Sequence, residues 1–176
     1  MTTVRPARPD DAGAVITVRI ASWKAAYAAH LPDDAWADYD VDAATRRLAG
    51  SIEQAGLLVL VAERDGAVVG YTMSGAARDD DIADGTREIY AIYVHPDAWS
   101  TGTGRALMSA TISALGDVPV VLWVLEDNHR AQRFYERAGY TADGARKDAD
   151  MPGGPVPEIR YRRAAMDSTR VMTQET

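Results

Sequence analysis

The hydrophobic and polar positions of this 176-residue chain follow two different periods, which predicts a domain built from both strands and helices. Residues 57–63 are almost continuously apolar, as in a strand that is buried on both faces. The Arg-Asp-Gly at 64–66 is a tight-turn signal, so residues 67–76 are expected to return as the next strand of a hairpin. Two further runs, 88–94 and 118–125, are rich in β-branched and aromatic residues and predict two more strands.

Four other segments are predicted to be helices. The first runs from 9 to about 27; a break at 30–34 starts the second, which runs to about 49; the third and fourth are 104–115 and 128–138. Gly50 is the predicted C-cap of the second helix, and Gly139 is the predicted C-cap of the fourth. Asn128 is a good N-cap for the fourth helix. Short strands are expected at 2–7, where Pro6 favours a sheet edge, at 140–145 and at 156–163, with a loop over 148–157. The last strand alternates and is expected to be half-exposed.

This order of elements indicates one α/β domain with a mixed sheet, expected to span residues 1–166, and a polar tail at 167–176. The chain has the length of one compact domain with a hydrophobic core. It lacks the regular strand–helix alternation of a doubly wound dinucleotide fold.

The candidate chemistry lies where the strand 88–94 ends. Gly102 and Gly104 come shortly before the third predicted helix, so backbone N–H groups can approach a ligand closely there. The start of a helix also offers unpaired N–H groups and the positive end of the helix dipole. The segment therefore predicts a site for a phosphate group.

A dinucleotide-binding turn is the alternative interpretation of these glycines, with Glu126 as its acidic residue. Leu107 stands where such a turn needs a third glycine or an alanine, and seven residues separate Val94 from Gly102, which is too long for that tight turn. A Gly-Lys-Ser/Thr sequence is also absent, which excludes a P-loop. A nicotinamide-dependent dehydrogenase is accordingly disfavoured.

Composition narrows the function further. The formal net charge of −7 argues against general affinity for nucleic acid or an anionic membrane; it suits a cationic amine substrate, although solubility alone explains it. The chain has no cysteine, which excludes disulfides, thiolate metal sites and a cysteine nucleophile, and its three histidines lack metal-ligand spacing. No metal is expected. An apolar signal core and a run of membrane-spanning length are absent, so we expect a cytoplasmic protein.

Two motifs carry a resemblance to a known family. The first is Glu-Ile-Tyr-Ala-Ile-Tyr-Val-His-Pro at 88–96, followed by Trp-Ser-Thr-Gly-Thr-Gly-Arg-Ala-Leu at 99–107. The second is Leu-Trp-Val-Leu-Glu-Asp-Asn-His-Arg-Ala-Gln-Arg-Phe-Tyr-Glu-Arg-Ala-Gly-Tyr at 122–140. In this order and at this separation they resemble the acetyl-CoA-binding segments of the GNAT N-acetyltransferase family. Trp99 departs from the family pattern Gln/Arg-x-x-Gly-x-Gly/Ala, which removes one polar side chain but leaves the main-chain donors.

The resemblance implies a mostly antiparallel mixed sheet with helices on both faces and a splayed pair of central strands. It also implies acetyl-CoA as cosubstrate, with the phosphates on the glycine loop and the pantetheine arm along the strand. The cofactor-binding residues that it assigns are Ile92, Tyr93, Val94, Ser100, Thr101, Gly102, Thr103, Gly104, Arg105, Asn128 and Tyr135. A backbone N–H near Tyr93 or Val94 would polarise the thioester carbonyl.

The family's reaction assigns two catalytic side chains. Glu88 matches the glutamate that takes a proton from the attacking amine, often through water, and it would also contact the substrate. Tyr135 matches the tyrosine that protonates the leaving thiolate. The residues alone are also compatible with a solvent-facing strand start for Glu88, core packing for Tyr135 and simple helix capping for Asn128.

Trp23 and Tyr27 lie four residues apart on the first helix, hence on one face, and are assigned to the wall of the acceptor site or to core packing. The expected activity is acetyl transfer to a primary amine of a small molecule, an amino acid or a peptide N-terminus. The alternative is a non-catalytic acyl-CoA sensor. The sequence leaves open whether the protein is a monomer or a homodimer.

Overall fold

A computed structural model describes residues 1–26, 39–151 and 154–165 of the chain. Seven strands form one sheet in the order β1-β2-β3-β4-β5-β7-β6. The strands are β1 Thr2–Pro6, β2 Leu58–Arg64, β3 Ala67–Ala76, β4 Arg87–Val94, β5 Val120–Leu125, β6 Thr141–Met151 and β7 Gly154–Arg163. Only β4 and β5 run parallel, and every other neighbouring pair is antiparallel.

Four α-helices are described: α1 Ala12–Ala26, α2 Val41–Ile52, α3 Thr103–Leu115 and α4 His129–Arg137. Helices α1 and α2 pack on one face of the sheet, against a core that includes Val61 and Tyr71. Helices α3 and α4 pack on the other face, where Leu107 and Met108 meet apolar residues of the strands. The predicted α/β class, with helices on both faces of a mostly antiparallel sheet, is therefore confirmed. In the described part of the chain, no helix is long and apolar enough to cross a membrane.

The end of α2 differs from the sequence prediction. Gly50 lies inside the helix, which continues to Ile52 with Glu53 as its C-cap. Gly50 has no positive φ, whereas a glycine C-cap uses the left-handed region. The last helical turn was missed because Gly50 followed by the polar Ser51 resembles a helix stop signal.

The central strands β4 and β5 diverge soon after they pair. Their register holds only from Arg87 opposite Val120 to Ile89 opposite Leu122. On its other side, β4 carries a bulge: Met73 pairs with Ala91 and Ser74 with Ile89, so Tyr90 is an extra residue. A bulge bends its strand and increases the local twist. Beyond Ile89, the edge of β4 that faces β5 has no strand partner among the described residues, and the predicted splayed pair is confirmed.

The C-terminal hairpin is longer and more central than expected. Residues 148–151 and 154–157, predicted as loop, are the facing ends of β6 and β7. Because β7 inserts between β5 and β6, Arg160 and Tyr161 are only 6% and 4% exposed, and only part of the last strand is half-exposed. The tail at 167–176 lies outside the described residues.

The acidic loop that follows β3 is held down by a buried cation. The Arg160 guanidinium donates hydrogen bonds to Asp79 at 3.1 Å, to Asp81 at 2.6 and 2.7 Å, and to Asp143 at 2.8 Å. These carboxylates hold the pKa of Arg160 above its ordinary value, and the largest cause is the hydrogen bonding of Arg160 to Asp81. Asp79 also accepts a hydrogen bond from the Trp123 indole N–H at 2.9 Å, so the loop is fixed to both β5 and β7.

Candidate active site

The loop between β4 and α3 has the backbone geometry of an anion site. Ser100 and Gly102 both have positive φ, at 64° and 90°, so the chain turns sharply before the helix begins. Gly102 is the N-cap residue of α3 and, being a glycine, it has no side chain to cap the first N–H groups. Those donors and the positive end of the helix dipole face one cleft. Such an end binds phosphate without further side chains.

A cleft of about 550 Å³ lies between β4, this loop, α4 and the end of α1. Its lining includes most of the predicted cofactor-binding residues: Ile92, Tyr93, Val94, Ser100, Gly102, Gly104, Arg105, Asn128 and Tyr135. An open strand edge, uncapped helix donors and several arginines suit a long, anionic ligand with a pantetheine arm and phosphates.

Thr101 and Thr103 are the predicted cofactor residues whose side chains do not line the cleft. The Thr101 hydroxyl donates to the carbonyl of Ala98 at 2.8 Å, and it lies 3.0 Å from the Thr103 hydroxyl. Thr103 is completely buried. These two hydroxyls therefore hold the shape of the loop from the protein side.

Trp99, which departs from the family pattern, has a structural role at the mouth of the cleft. Its indole N–H donates to the carbonyl of Val94 at 2.7 Å, and the buried Ser22 hydroxyl donates to the same oxygen at 2.9 Å. The Arg130 guanidinium lies 4.1 Å from the centre of the Trp99 ring. Arg130 and Arg137 both line the cleft and were missed from the sequence. Their spacing of seven on α4 puts them on one face, which was an available signal.

Asn128 and Tyr135 mark the two ends of the side of α4 that lines the cleft. The Asn128 carboxamide accepts a hydrogen bond from the N–H of Ala131 at 3.1 Å, so the predicted N-cap is confirmed. Tyr135, two turns later, is 8% exposed and packs between Tyr140 and Tyr161. Burial, and then the neighbouring Tyr93, raise the pKa of Tyr135 above the ordinary tyrosine value. Its hydroxyl therefore keeps its proton at neutral pH.

A second cavity, of about 130 Å³, occupies the gap where β4 and β5 diverge. It shares Ile92, Tyr93, Ala131 and Tyr135 with the larger cleft, so the two spaces meet at the Tyr135 side chain. The rest of its wall contains polar and aromatic groups: Arg78, Glu88, Tyr90, Trp123, Lys147 and Glu158. A ligand in either space would therefore lie against the Tyr135 side chain.

Glu88 lines this cavity and is 2% exposed. Its carboxylate accepts three hydrogen bonds from Arg78: from the backbone N–H at 3.1 Å, from Nε at 3.1 Å and from Nη2 at 2.6 Å. The Arg78 guanidinium also lies 4.2 Å from the centre of the Tyr90 ring. The solvent-facing interpretation of Glu88 is therefore wrong, and the residue belongs to a fixed ion pair.

The predicted acceptor-wall residues have different outcomes. Trp23 packs towards Tyr93, with 6.4 Å between ring centres, and lines neither cavity. Tyr27 lies outside the described residues. Lys147 and Glu158 line the small cavity and were not predicted. The alternation over 156–163 was visible in the sequence, but it did not show that β7 lies beside β5.

Comparison with known proteins agrees with this geometry. The sequence model of the acetyltransferase (GNAT) family matches residues 20–140. An uncharacterized N-acetyltransferase of Mycobacterium tuberculosis is 34% identical over 110 residues, which cover 61% of this chain and 67% of the relative. A mycothiol acetyltransferase of Thermobispora bispora is 32% identical over 143 residues, which cover 79% of this chain but only 45% of the relative.

Solved structures share the fold over nearly the whole chain. The PaiA N-acetyltransferase of Thermoplasma acidophilum, in complex with coenzyme A, has a TM-score of 0.70 at 19% identity and covers 93% of this chain and 99% of its own. The ribosomal-protein-S18-alanine N-acetyltransferase of Escherichia coli has a TM-score of 0.70 at 18% identity, covering 97% and 99%. The chain belongs to the GNAT acetyltransferase family. It is an acyltransferase that uses acetyl-CoA, as the sequence motifs predicted.

Proposed function

We propose that the protein transfers the acetyl group of acetyl-CoA directly to a primary amine of a small molecule, an amino acid or a peptide N-terminus. The observation that carries this proposal is the meeting of two cavities at Tyr135. The large cleft fits the cosubstrate, and the small, polar cavity in the strand gap fits the acceptor amine. Acetyl-CoA supplies an acetyl thioester, so a C–N bond forms as the C–S bond breaks.

The residues of the cleft hold the cosubstrate in this proposal. The N–H groups at the start of α3, together with Arg105 and Arg130, bind its phosphates. The free edge of β4 near Ile92 to Val94 pairs with the pantetheine arm and directs a backbone N–H at the thioester oxygen. Tyr135 gives its proton to the sulfur that leaves, because burial keeps that hydroxyl protonated.

The acceptor amine must lose a proton before it attacks, because an alkyl ammonium titrates near pH ~10.4. A carboxylate in the wall of the small cavity takes this proton. Glu88 is the residue that the sequence predicted for the task, and its position in the wall of the cavity supports contact with the acceptor.

Measurement of coenzyme A release over a panel of amines tests the function. We expect at least one small amine, amino acid or peptide to release the thiol at a rate proportional to enzyme concentration. Thermal unfolding with acetyl-CoA, CoA and NAD should show stabilisation by the CoA species only. Binding of acetyl-CoA without turnover of any amine would instead establish the acyl-CoA sensor.

The acid role of Tyr135 is tested with Tyr135→Phe and a matched control, Tyr140→Phe. Loss of a general acid lowers kcat by about 100- to 10,000-fold, and we expect a value in that range with the Kd of acetyl-CoA changed less than about two-fold. Tyr140→Phe removes a buried hydroxyl that has no hydrogen-bond partner among the described residues and lines neither cavity, so kcat should not change. Equal turnover in both variants would remove Tyr135 from the chemistry. Cytoplasmic location and oligomeric state remain predictions, testable by fractionation and light scattering.

A further inference from the structure

The small cavity contains two carboxyl groups, and their surroundings differ. The first, Glu88, is bound on both oxygens by Arg78 through a bidentate ion pair and a backbone N–H. Both oxygens are therefore already engaged by Arg78, and a carboxylate held in this way is well suited to orient a ligand.

The second carboxyl group belongs to Glu158 on β7, opposite Leu125 of β5 and Lys147 of β6. Its side chain is half-buried and lines the same cavity. In the described ranges 1–26, 39–151 and 154–165, no group donates a hydrogen bond to its carboxylate. Its oxygens are thus available to a ligand or to a water molecule in the cavity.

The charges around Glu158 come from four elements. Burial is the largest cause that raises its pKa, and the negative charge of Glu88 on β4 adds to it. Lys147 on β6 and Arg78 in the loop after β3 act in the opposite direction without reversing the shift. Tyr135 of α4 is also within electrostatic reach, because Glu158 contributes to the raised pKa of that hydroxyl.

We propose that Glu158 takes the proton from the ammonium group of the acceptor, directly or through one water, and that the Glu88–Arg78 pair orients the amine. This assignment rests on the proposed acetyl transfer. An N–H bond of the ammonium breaks and an O–H bond forms on Glu158, which leaves a neutral amine and a neutral carboxylic acid. The acid later releases its proton to the solvent. As the C–N bond forms, the nitrogen loses its second proton, and this proton restores the Tyr135 hydroxyl, whose own proton has gone to the sulfur.

The position of Glu158 suits this transfer. A cavity of about 130 Å³ has room for the amine and a few water molecules, and Glu158 and Tyr135 share its wall. A base must lie within hydrogen-bond reach of the proton, or one water away. A carboxyl group whose pKa is raised towards the working pH is also the stronger base, so the shift supports the assignment.

The test compares Glu158→Gln, Glu158→Asp and Glu88→Gln with the surface control Glu53→Gln, on any amine that the native enzyme acetylates. We expect Glu158→Gln to lower kcat/KM by about 100-fold at pH 7, the lower range for loss of a general base. Glu158→Asp should restore part of it, and Glu53→Gln should match the native enzyme. Circular dichroism and the Kd of acetyl-CoA check that each variant is folded.

The pH profile separates a proton acceptor from a structural role. Without Glu158, the rate should depend on the fraction of free amine in solution, so kcat/KM should rise about tenfold per pH unit and approach the native value at high pH. In the native enzyme, kcat/KM should reach its plateau at a lower pH than in Glu158→Gln. If Glu158→Gln kept the native rate and the native pH dependence of kcat/KM, the assignment would be overturned. It would also be overturned if Glu88→Gln were the only variant to lose the fall of kcat/KM at low pH. No turnover by the native enzyme, with acetyl-CoA still bound, would overturn the proposed function and this assignment with it.

Discussion

The replacement Gly50→Ala tests the position at which α2 ends. The structure places Gly50 inside the helix, two residues before its last residue, Ile52. A Cβ built on Gly50 meets nothing within 4 Å. Since the backbone there does not have a positive φ, an alanine can adopt the same conformation without strain.

The expected magnitude follows from these observations. A glycine in a helix interior is less favourable than alanine by about 0.8–1.0 kcal/mol. We therefore expect Gly50→Ala to raise the free energy of unfolding by about 0.5–1 kcal/mol, since no contact is gained or lost. For a domain of this length, 1 kcal/mol shifts Tm by about 2–4 °C, so Tm should rise by roughly 1–4 °C.

The replacement Gly70→Ala adds the same methyl group and should have the opposite effect. Its Cβ would lie 2.9 Å from Leu107 Cδ1 and 3.0 Å from the carbonyl oxygen of Tyr93. Leu107 belongs to α3 and is fully buried, so its side chain has no solvent-exposed space to move into. Overpacking of this kind costs about 1–3 kcal/mol. Because the Tyr93 carbonyl belongs to β4, we also expect weaker binding of acetyl-CoA.

Urea unfolding followed by circular dichroism measures both changes, with equal m-values required for the comparison. A decrease in stability of Gly50→Ala would refute the reasoning, because it would show that Gly50 ends the helix in a conformation that alanine cannot adopt. A neutral Gly70→Ala would show that β3 and α3 are less tightly packed than the structure indicates.

Two further predictions concern paired polar side chains, one pair buried and one half-buried. Thr72 and Thr111 are completely buried, and their hydroxyl oxygens lie 2.8 Å apart. Thr72→Val should lower the free energy of unfolding, measured in urea, by about 1–3 kcal/mol because it leaves the Thr111 hydroxyl without its partner. The double variant with Thr111→Val should recover part of that loss, and strictly additive losses would contradict the pairing. Arg5 donates hydrogen bonds to Asp11 and thereby lowers the pKa of that carboxyl group in the folded state. The Asp11 carboxylate therefore stabilises the fold above its unfolded pKa of about 3.9, and this stabilisation is lost as the pH falls through the lower folded pKa. Asp11→Asn should therefore be less stable than the native protein at pH 7, with a difference that shrinks below about pH 4; a constant difference would refute it.

The parts of the fold that could be predicted from the sequence depend on short-range signals. The glycine loop, the Asn128 cap and the placement of Tyr135 two turns later all follow from helix geometry and local residue preferences. The loop, Asn128 and Tyr135 all line the large cleft, which we propose as the cosubstrate site.

The parts that could not be predicted depend on contacts between distant segments. The bulge at Tyr90 has no residue signature, because any residue can be the unpaired one, yet it bends β4 away from β5. The insertion of β7 between β5 and β6 is a choice of strand partner, which alternation along one strand does not reveal. For that reason Glu158 was expected in a half-exposed strand and not in the wall of the small cavity. The stacking of Arg130 on Trp99 likewise joins two elements.

The insertion of β7 has a consequence for how this protein can diversify. Every residue that lines the large cleft lies between Ser22 and Arg137, within the segment that the family model matches. Lys147 and Glu158 of the small cavity lie on the hairpin beyond that segment. If the proposed function holds, substitutions in the hairpin will change which amine is accepted while the cosubstrate continues to bind. A library confined to residues 141–163 is the natural way to redirect this enzyme to new acceptors.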